Sequence, residues 1–304
     1  MQGAMGWPTL SILVGASVWG LIWYPLRVLA SLGVTGTVAS ALTSAAALGF
    51  VIVLRWRSLA TLRRHWLLPA LGVAAGITNL GFVWGTIHGE VLRVMLLFYL
   101  TPAWAAIYAH FLLRERLSWA GAGVAALSIA GAMLMLWSPR LGVPLPATPA
   151  EWAGLSFAMS NVLVVRMTRE LPDMKAEMRT ATLFGGAAAF GLVASFVEGL
   201  PPLPAPGHLG LALGLAAVVG IVMASNNLLV QYGLARVPAN RASVIMLFEI
   251  VVTALSAWGF AGELPGAREW AGGACIVLAT LLSARVHRAS HGGPNRQDGA
   301  RAMV

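Results

Sequence analysis

Few residues of this chain can do chemistry, and the most conspicuous is an acid in apolar company. In MLFEIVVTA (246–254), Glu249 lies well inside a run that otherwise suits lipid. An acid at the bilayer centre costs roughly 2.5–3.5 kcal/mol even on mild insertion scales, so it needs a partner or a task. It can contact a solute, carry a proton, or join two helices. No second deep acid accompanies it, and the two aspartates, Asp173 and Asp298, fall outside apolar runs. A carboxylate pair for acid–base work or for two metals is therefore lacking. The single lysine, Lys175, is not preceded by G-x-x-x-x-G-K-[ST], so the chain has no P-loop and no ATP hydrolysis of its own. His287 and His291 have i, i+4 spacing but stand in a Gly-rich tail, where a solvated segment explains them better than a metal. Cys275 is alone in an apolar run and is explained by packing. No catalytic residue, metal or cofactor is expected. An intramembrane enzyme acting on lipid is the weaker functional class.

The remaining polar and aromatic candidates fall on stripes at helical spacing. Ala242, Met246, Glu249, Thr253 and Ser256 share one face of a helix, and Met95, Tyr99, Ala103, Ala106 and His110 share a face of another. Asn227 and Gln231 follow Gly220 and Ala224 on one stripe, and Asn79 follows Gly72 and Gly76 on another. Asn161 lies beside Ser156 and Ser160, and Trp19, Phe82 and Trp84 supply aromatic surface. Amides in a membrane need partners, so interhelical hydrogen bonds explain them as readily as a wet cavity does. Together they offer neutral donors and acceptors beside apolar surface, which suits an amino acid zwitterion with a large side chain. The expected substrate contacts are Trp19, Asn79, Phe82, Trp84, Tyr99, Asn161, Asn227 and Gln231. Glu249, Tyr99 and Pro102 are expected at a coupling or helix-interface position. No deep Lys or Arg is evident, which disfavours a phosphorylated substrate.

The elements that must hold these residues are membrane spans. Of 304 residues 58% are hydrophobic and 10% charged, with mean hydropathy +0.78, whereas a soluble domain carries about 25% charged residues. Ten runs are long enough to cross a bilayer: 8–28, 34–54, 66–87, 91–113, 118–138, 152–168, 180–197, 209–232, 242–261 and 270–285. With the N-terminus inside, sixteen of the 20 Lys and Arg fall on the cytoplasmic side, including Arg166, Arg169, Lys175 and Arg179. Arg27, Arg93, Arg140 and Arg268 fall outside. The positive-inside rule then puts both termini in the cytoplasm and accounts for the net charge of +9 without nucleic acid. Trp7, Trp56, Trp66, Trp137 and Trp152 near span ends fit an interfacial aromatic belt.

The two halves repeat. Leu97-Phe98 matches Leu247-Phe248, Glu115 matches Glu263, and Trp119-Ala120-Gly121 matches Trp270-Ala271-Gly272. Five spans per copy is an odd number, so the second copy is expected upside down, with a site at the midplane between the copies. The expected architecture is an all-α polytopic membrane protein of ten transmembrane helices in two inverted five-helix repeats, 1–140 and 141–286, with a disordered cytoplasmic tail, 287–304. Tyr99 and Glu249, as repeat equivalents, should face each other across the pseudo-two-fold axis.

These residues resemble the EamA repeat of the drug/metabolite transporter (DMT) superfamily. Tyr99-Leu100-Thr101-Pro102 followed by Glu115-Arg116-Leu117-Ser118-Trp119 is most similar to bacterial aromatic amino acid exporters of the YddG type. The second copy departs from the usual Leu-Glu-Pro-Val and reads Phe248-Glu249-Ile250-Val251, without the proline that would bend the helix. The resemblance implies a secondary transporter of the inner (cytoplasmic) membrane, exporting amino acids or related small metabolites by alternating access. Its partners would be a small-molecule substrate and the lipid bilayer, with no ATPase subunit. Export of drugs or other metabolites is the alternative within the superfamily.

Overall fold

The computed structural model describes residues 6–34, 36–59, 65–88, 99–115, 118–136, 153–199, 206–261 and 266–291. Among them the regular structure is helical: α1 Trp7–Leu21, α2 Trp23–Ser31, α3 Gly36–Leu59, α4 Leu67–His88, α5 Thr101–Leu113, α6 Trp119–Leu136, α7 Ala153–Glu170, α8 Ala176–Glu198, α9 Pro206–Leu234, α10 Ala239–Met246, α11 Phe248–Ala261 and α12 Ala267–His291. Among the described residues six stretches are long and apolar enough to cross a membrane: Trp7–Ser31, Gly36–Arg57, Trp119–Leu136, Ala176–Glu198, Gly207–Leu234 and Ala239–Phe260. Leu67–Gly81 is a shorter apolar helix. The chain is a multi-pass membrane protein. The helices are apolar on all faces, which is the pattern of segments with no water-facing side. Val53, Phe111, Phe196, Val197 and Leu211 accordingly point outward. Trp7, Trp56 and Trp66 are exposed at helix ends, whereas Trp137 and Trp152 lie outside the described residues.

Two membrane stretches are each divided into two helices, and α3 kinks near its end at Arg55 (φ −137°, ψ 29°). Pro25 cannot donate to the carbonyl four residues back, and the helix pauses at Ile22 between α1 and α2. The pause at Leu247, between α10 and α11, has no proline. There the chain tightens into i→i−3 bonds, Leu247 N–H to Val244 O at 3.2 Å and Ile250 N–H to Leu247 O at 3.1 Å. The missing proline therefore does not leave this stretch unbroken. α12 continues to His291, and 292–304 of the expected tail lie outside the described residues.

Packing follows small residues. α3 lies on α8 and α9, α4 on α8 and α7, α1 on α9, α10 and α11, α5 on α7 and α10, and α6 on α12. Added Cβ atoms would strike backbone at Gly186 (the carbonyl of Gly72), Gly220 (Thr43 O, 2.6 Å) and Gly131 (Gly272 O, 2.7 Å). Such approaches are how membrane helices gain van der Waals contact where lipid supplies no hydrophobic drive. Buried hydroxyls bond back to their own helices, as Thr43 does to Ala39 O and Thr280 to Ile276 O, so they cost little in apolar surroundings. The largest apolar cluster joins Ile12, Leu67, Leu71, Met167, Met178, Leu234, Ile245 and Met246 from α1, α4, α7, α8, α9 and α10.

Candidate functional site

Glu249 stands in the first turn of α11, immediately after the pause at Leu247. The pause therefore makes a helix N-terminus inside the apolar stretch, where the helix dipole favours a carboxylate. Tyr99 is buried among Ala132, Leu247, Ile250 and Ile276, and its hydroxyl donates to Glu249 Oε1 at 3.4 Å. Pro102 is buried in the first turn of α5, where its missing N–H costs nothing. On the other side of α11, Gly20 of α1 comes against the Glu249 carbonyl, where a Cβ would sit 2.7 Å from the oxygen. The Thr253 hydroxyl shares its proton between Glu249 O (2.9 Å) and Gly20 O (3.3 Å), and the Trp23 indole N–H donates to Ser256 Oγ at 2.9 Å. Glu249 thus lies in a hydrogen-bonded seam linking α11 to α1, α2 and the chain just before α5.

The amides form a second group. Ser40 Oγ of α3 donates to Asn79 Oδ1 of α4. Thr180 Oγ1 of α8 donates to Asn227 Oδ1 of α9 at 2.9 Å, and Gln231 Nε2 donates to the same oxygen at 3.4 Å. Gln231, 1% exposed, accepts from Arg179 Nε at 3.1 Å. Asn79 and Asn227 therefore each meet a hydroxyl on a different neighbouring helix. Asn226, which the sequence stripes passed over, donates from Nδ2 to Gly15 O at 3.0 Å. Trp19 packs partly buried against the largest cluster. Asn161 Nδ2 is enclosed and has no hydrogen-bond partner among the described residues. Phe82 and Trp84 lie on α4, but their side chains are outside the described residues. Asn227→Leu removes the acceptor of two buried donors, and each such loss costs about 1–3 kcal/mol. We expect that variant to lose several degrees of thermal midpoint in detergent, with Asn227→Asp losing less because it keeps the acceptor.

Arg179 is the residue that sequence reasoning misplaced. Span seven was expected to start at 180, leaving Arg179 among the cytoplasmic loop charges. α8 starts at Ala176, and Arg179 is 4% exposed inside it. The sequence reading missed this burial because the apolar run alone does not reveal the polar first turn of a helix. The signal was available in Met174 and Met178, two apolar residues among the charges of Lys175, Glu177 and Arg179.

Chemically, the described residues offer neutral amides and hydroxyls, one half-buried carboxyl at Glu249 and one buried guanidinium at Arg179. They hold no cluster of metal-ligating side chains. An apolar groove of about 480 Å³ runs between α6, α11 and α12, lined by Met135, Val251, Leu255, Trp270, Val277 and Leu281. Its walls suit hydrocarbon, and Glu269 is the one charged residue in the lining.

No curated protein matches the chain. A solved structure, described only as a crystal structure of protein, matches with a TM-score of 0.71 at 19% identity. The match covers 92% of this chain and 98% of that one, and shows a shared fold. Residues 152–285, from the end preceding α7 into α12, match the model of the EamA-like transporter family, so the second half of this chain carries an EamA-like transporter domain of the DMT superfamily.

Proposed function

We propose that the protein is a secondary transporter that exports amino acids with large apolar or aromatic side chains, and related small metabolites, across the inner membrane. It does so by alternating access between two inverted five-span repeats, with ten spans and both termini cytoplasmic. The observation that carries this proposal is the EamA-like transporter match over 152–285.

Support for the inverted repeat comes from the most extensive helix contacts, which map onto one another when the halves are exchanged. Counting α1 with α2, and α10 with α11, as single broken spans, α3 on α8 and α6 on α12 each map onto themselves. α4 on α8 maps onto α9 on α3, α4 on α7 onto α9 on α1, and α5 on α7 onto α10 and α11 on α1. Individual contacts follow the same exchange. The Ser40–Asn79 bond corresponds to Thr180–Asn227, and the approach of Gly186 to Gly72 corresponds to that of Ala46 to Gly220. Two odd-numbered halves packed this way provide an axis about which rocking can open either side.

Substrate class and direction rest on the YddG-like motif at Tyr99–Pro102 and Glu115–Trp119, supported by the neutral hydrogen-bonding groups of α4 and α9. Purified protein in proteoliposomes is expected to move labelled phenylalanine, tryptophan or leucine without ATP, with and without an imposed pH gradient. Flux of cationic drugs alone would redirect the substrate class. Chemical turnover of lipid without solute flux would replace the transporter reading with an intramembrane enzyme.

A further inference from the structure

Arg179 is a buried cation whose hydrogen-bond acceptors are both neutral. Its Nε donates to Gln231 Oε1 at 3.1 Å and its Nη1 to the carbonyl of Met174 at 2.9 Å, and both partners are neutral. Nη2 has no hydrogen-bond partner, and no carboxylate lies within 4 Å of the guanidinium among the described residues. Glu177, two positions earlier, acts on Arg179 only through space and makes its close ion pair with Arg55 at 3.1 Å. Met174 and Met178, five and one positions before it in sequence, belong to the largest apolar cluster. Withdrawing a guanidinium from water costs several kcal/mol unless an opposite charge and further hydrogen bonds meet it. Two neutral acceptors satisfy only part of a five-donor fork.

We propose that a carboxylate at hydrogen-bond distance arrives with the cargo: Arg179 receives the carboxylate of the transported molecule on its Nη2 side. A planar carboxylate can accept two parallel N–H bonds from such a fork. Carboxylate fits better than phosphate because a phosphate carries about 1.5–2 charges near neutral pH, whereas the groups around this guanidinium, Gln231, Asn227 and Thr180, are neutral. Those groups act as positioning residues: Thr180 and Gln231 both donate to Asn227 Oδ1, which leaves Gln231 Oε1 turned to Arg179 Nε. The exchange that pairs Thr180 with Ser40 and Asn227 with Asn79 pairs Arg179 with Ala39 and Gln231 with Val83. The cation thus belongs to one half only, and it breaks the repeat symmetry as a polar end of an asymmetric solute requires.

This proposal rests on the transporter reading, and its test separates the two. Two labelled probes that differ in one group, L-phenylalanine and L-phenylalaninamide, are offered to proteoliposomes containing the full chain. The parent is expected to prefer phenylalanine. Arg179→Gln is expected to raise the KM for phenylalanine roughly ten- to hundredfold and so to lose the preference. Gln231→Glu keeps shape and places a carboxylate against the guanidinium. It is expected to stay folded and lose the same preference, which keeps the proposal testable if Arg179→Gln does not fold. Unchanged preference in Gln231→Glu, with higher stability, would make Arg179 a structural latch and overturn the proposal. A parent that moves the amide but not phenylalanine overturns it too, leaving transport intact. A parent that moves neither probe overturns the proposal and the amino acid reading together.

Discussion

Gly186→Val is expected to leave little folded protein after extraction. A Cβ at this position would fall on the carbonyl group of Gly72, where α4 and α8 touch backbone to backbone. No side chain at the contact can rotate away, so one of two long helices must shift along most of its length. Overpacking usually costs about 1–3 kcal/mol where side chains can adjust, and here they cannot. The neighbouring Gly185 gives the control. Its nearest atom to an added Cβ is Leu48 Cδ2 at 4.0 Å, so Gly185→Ala meets only ordinary contact and gains about 1 kcal/mol of helix propensity at most. Thermal midpoints from fluorescence-detected gel filtration compare the two directly. Equal midpoints for Gly186→Val and the parent would mean that α4 and α8 do not approach in this way.

The second large effect is expected at the Tyr99–Glu249 pair. Glu249→Leu removes the acceptor of the Tyr99 hydroxyl and a carboxyl placed at a helix N-terminus. Losing a buried partner costs about 1–3 kcal/mol, whereas replacing both partners by apolar groups is close to neutral. Glu249→Leu alone should therefore unfold earlier on heating, and adding Tyr99→Phe should recover most of the loss. Additive losses in the double variant would break the link between the two residues. Glu249→Gln keeps hydrogen-bonding capacity, so with a helix-joining role its transport and the pH dependence of that transport should match the parent. A folded Glu249→Gln protein whose flux no longer responds to pH would instead make Glu249 a proton carrier.

Much of the architecture was legible because membrane solvation acts on single segments. A run of about 20 apolar residues must be helical in lipid, since each backbone polar group needs an internal partner. Composition alone therefore led to an all-helical multi-pass chain. The stripes carrying Asn79, Asn227 and Glu249 were legible for a similar reason, since a polar group facing lipid is costly wherever the chain goes.

The partners were not legible. Nothing local to Asn227 selects Thr180 over another donor, because that choice depends on how closely α8 and α9 approach and in which register. The pause at Leu247 was equally hidden. It arises without proline, where Gly20 of α1 presses against the Glu249 carbonyl, a contact 229 positions away in sequence. The burial of Arg179 is the sharpest case. Hydropathy placed it one residue outside a span, among solvated charges, whereas an earlier helix start rotates it onto Gln231 and away from water. Solvation of each segment by lipid is a one-dimensional property and can be read along the chain. Register, close approach and the pairing of buried polar groups are properties of two segments at once, and only the tertiary structure decided them.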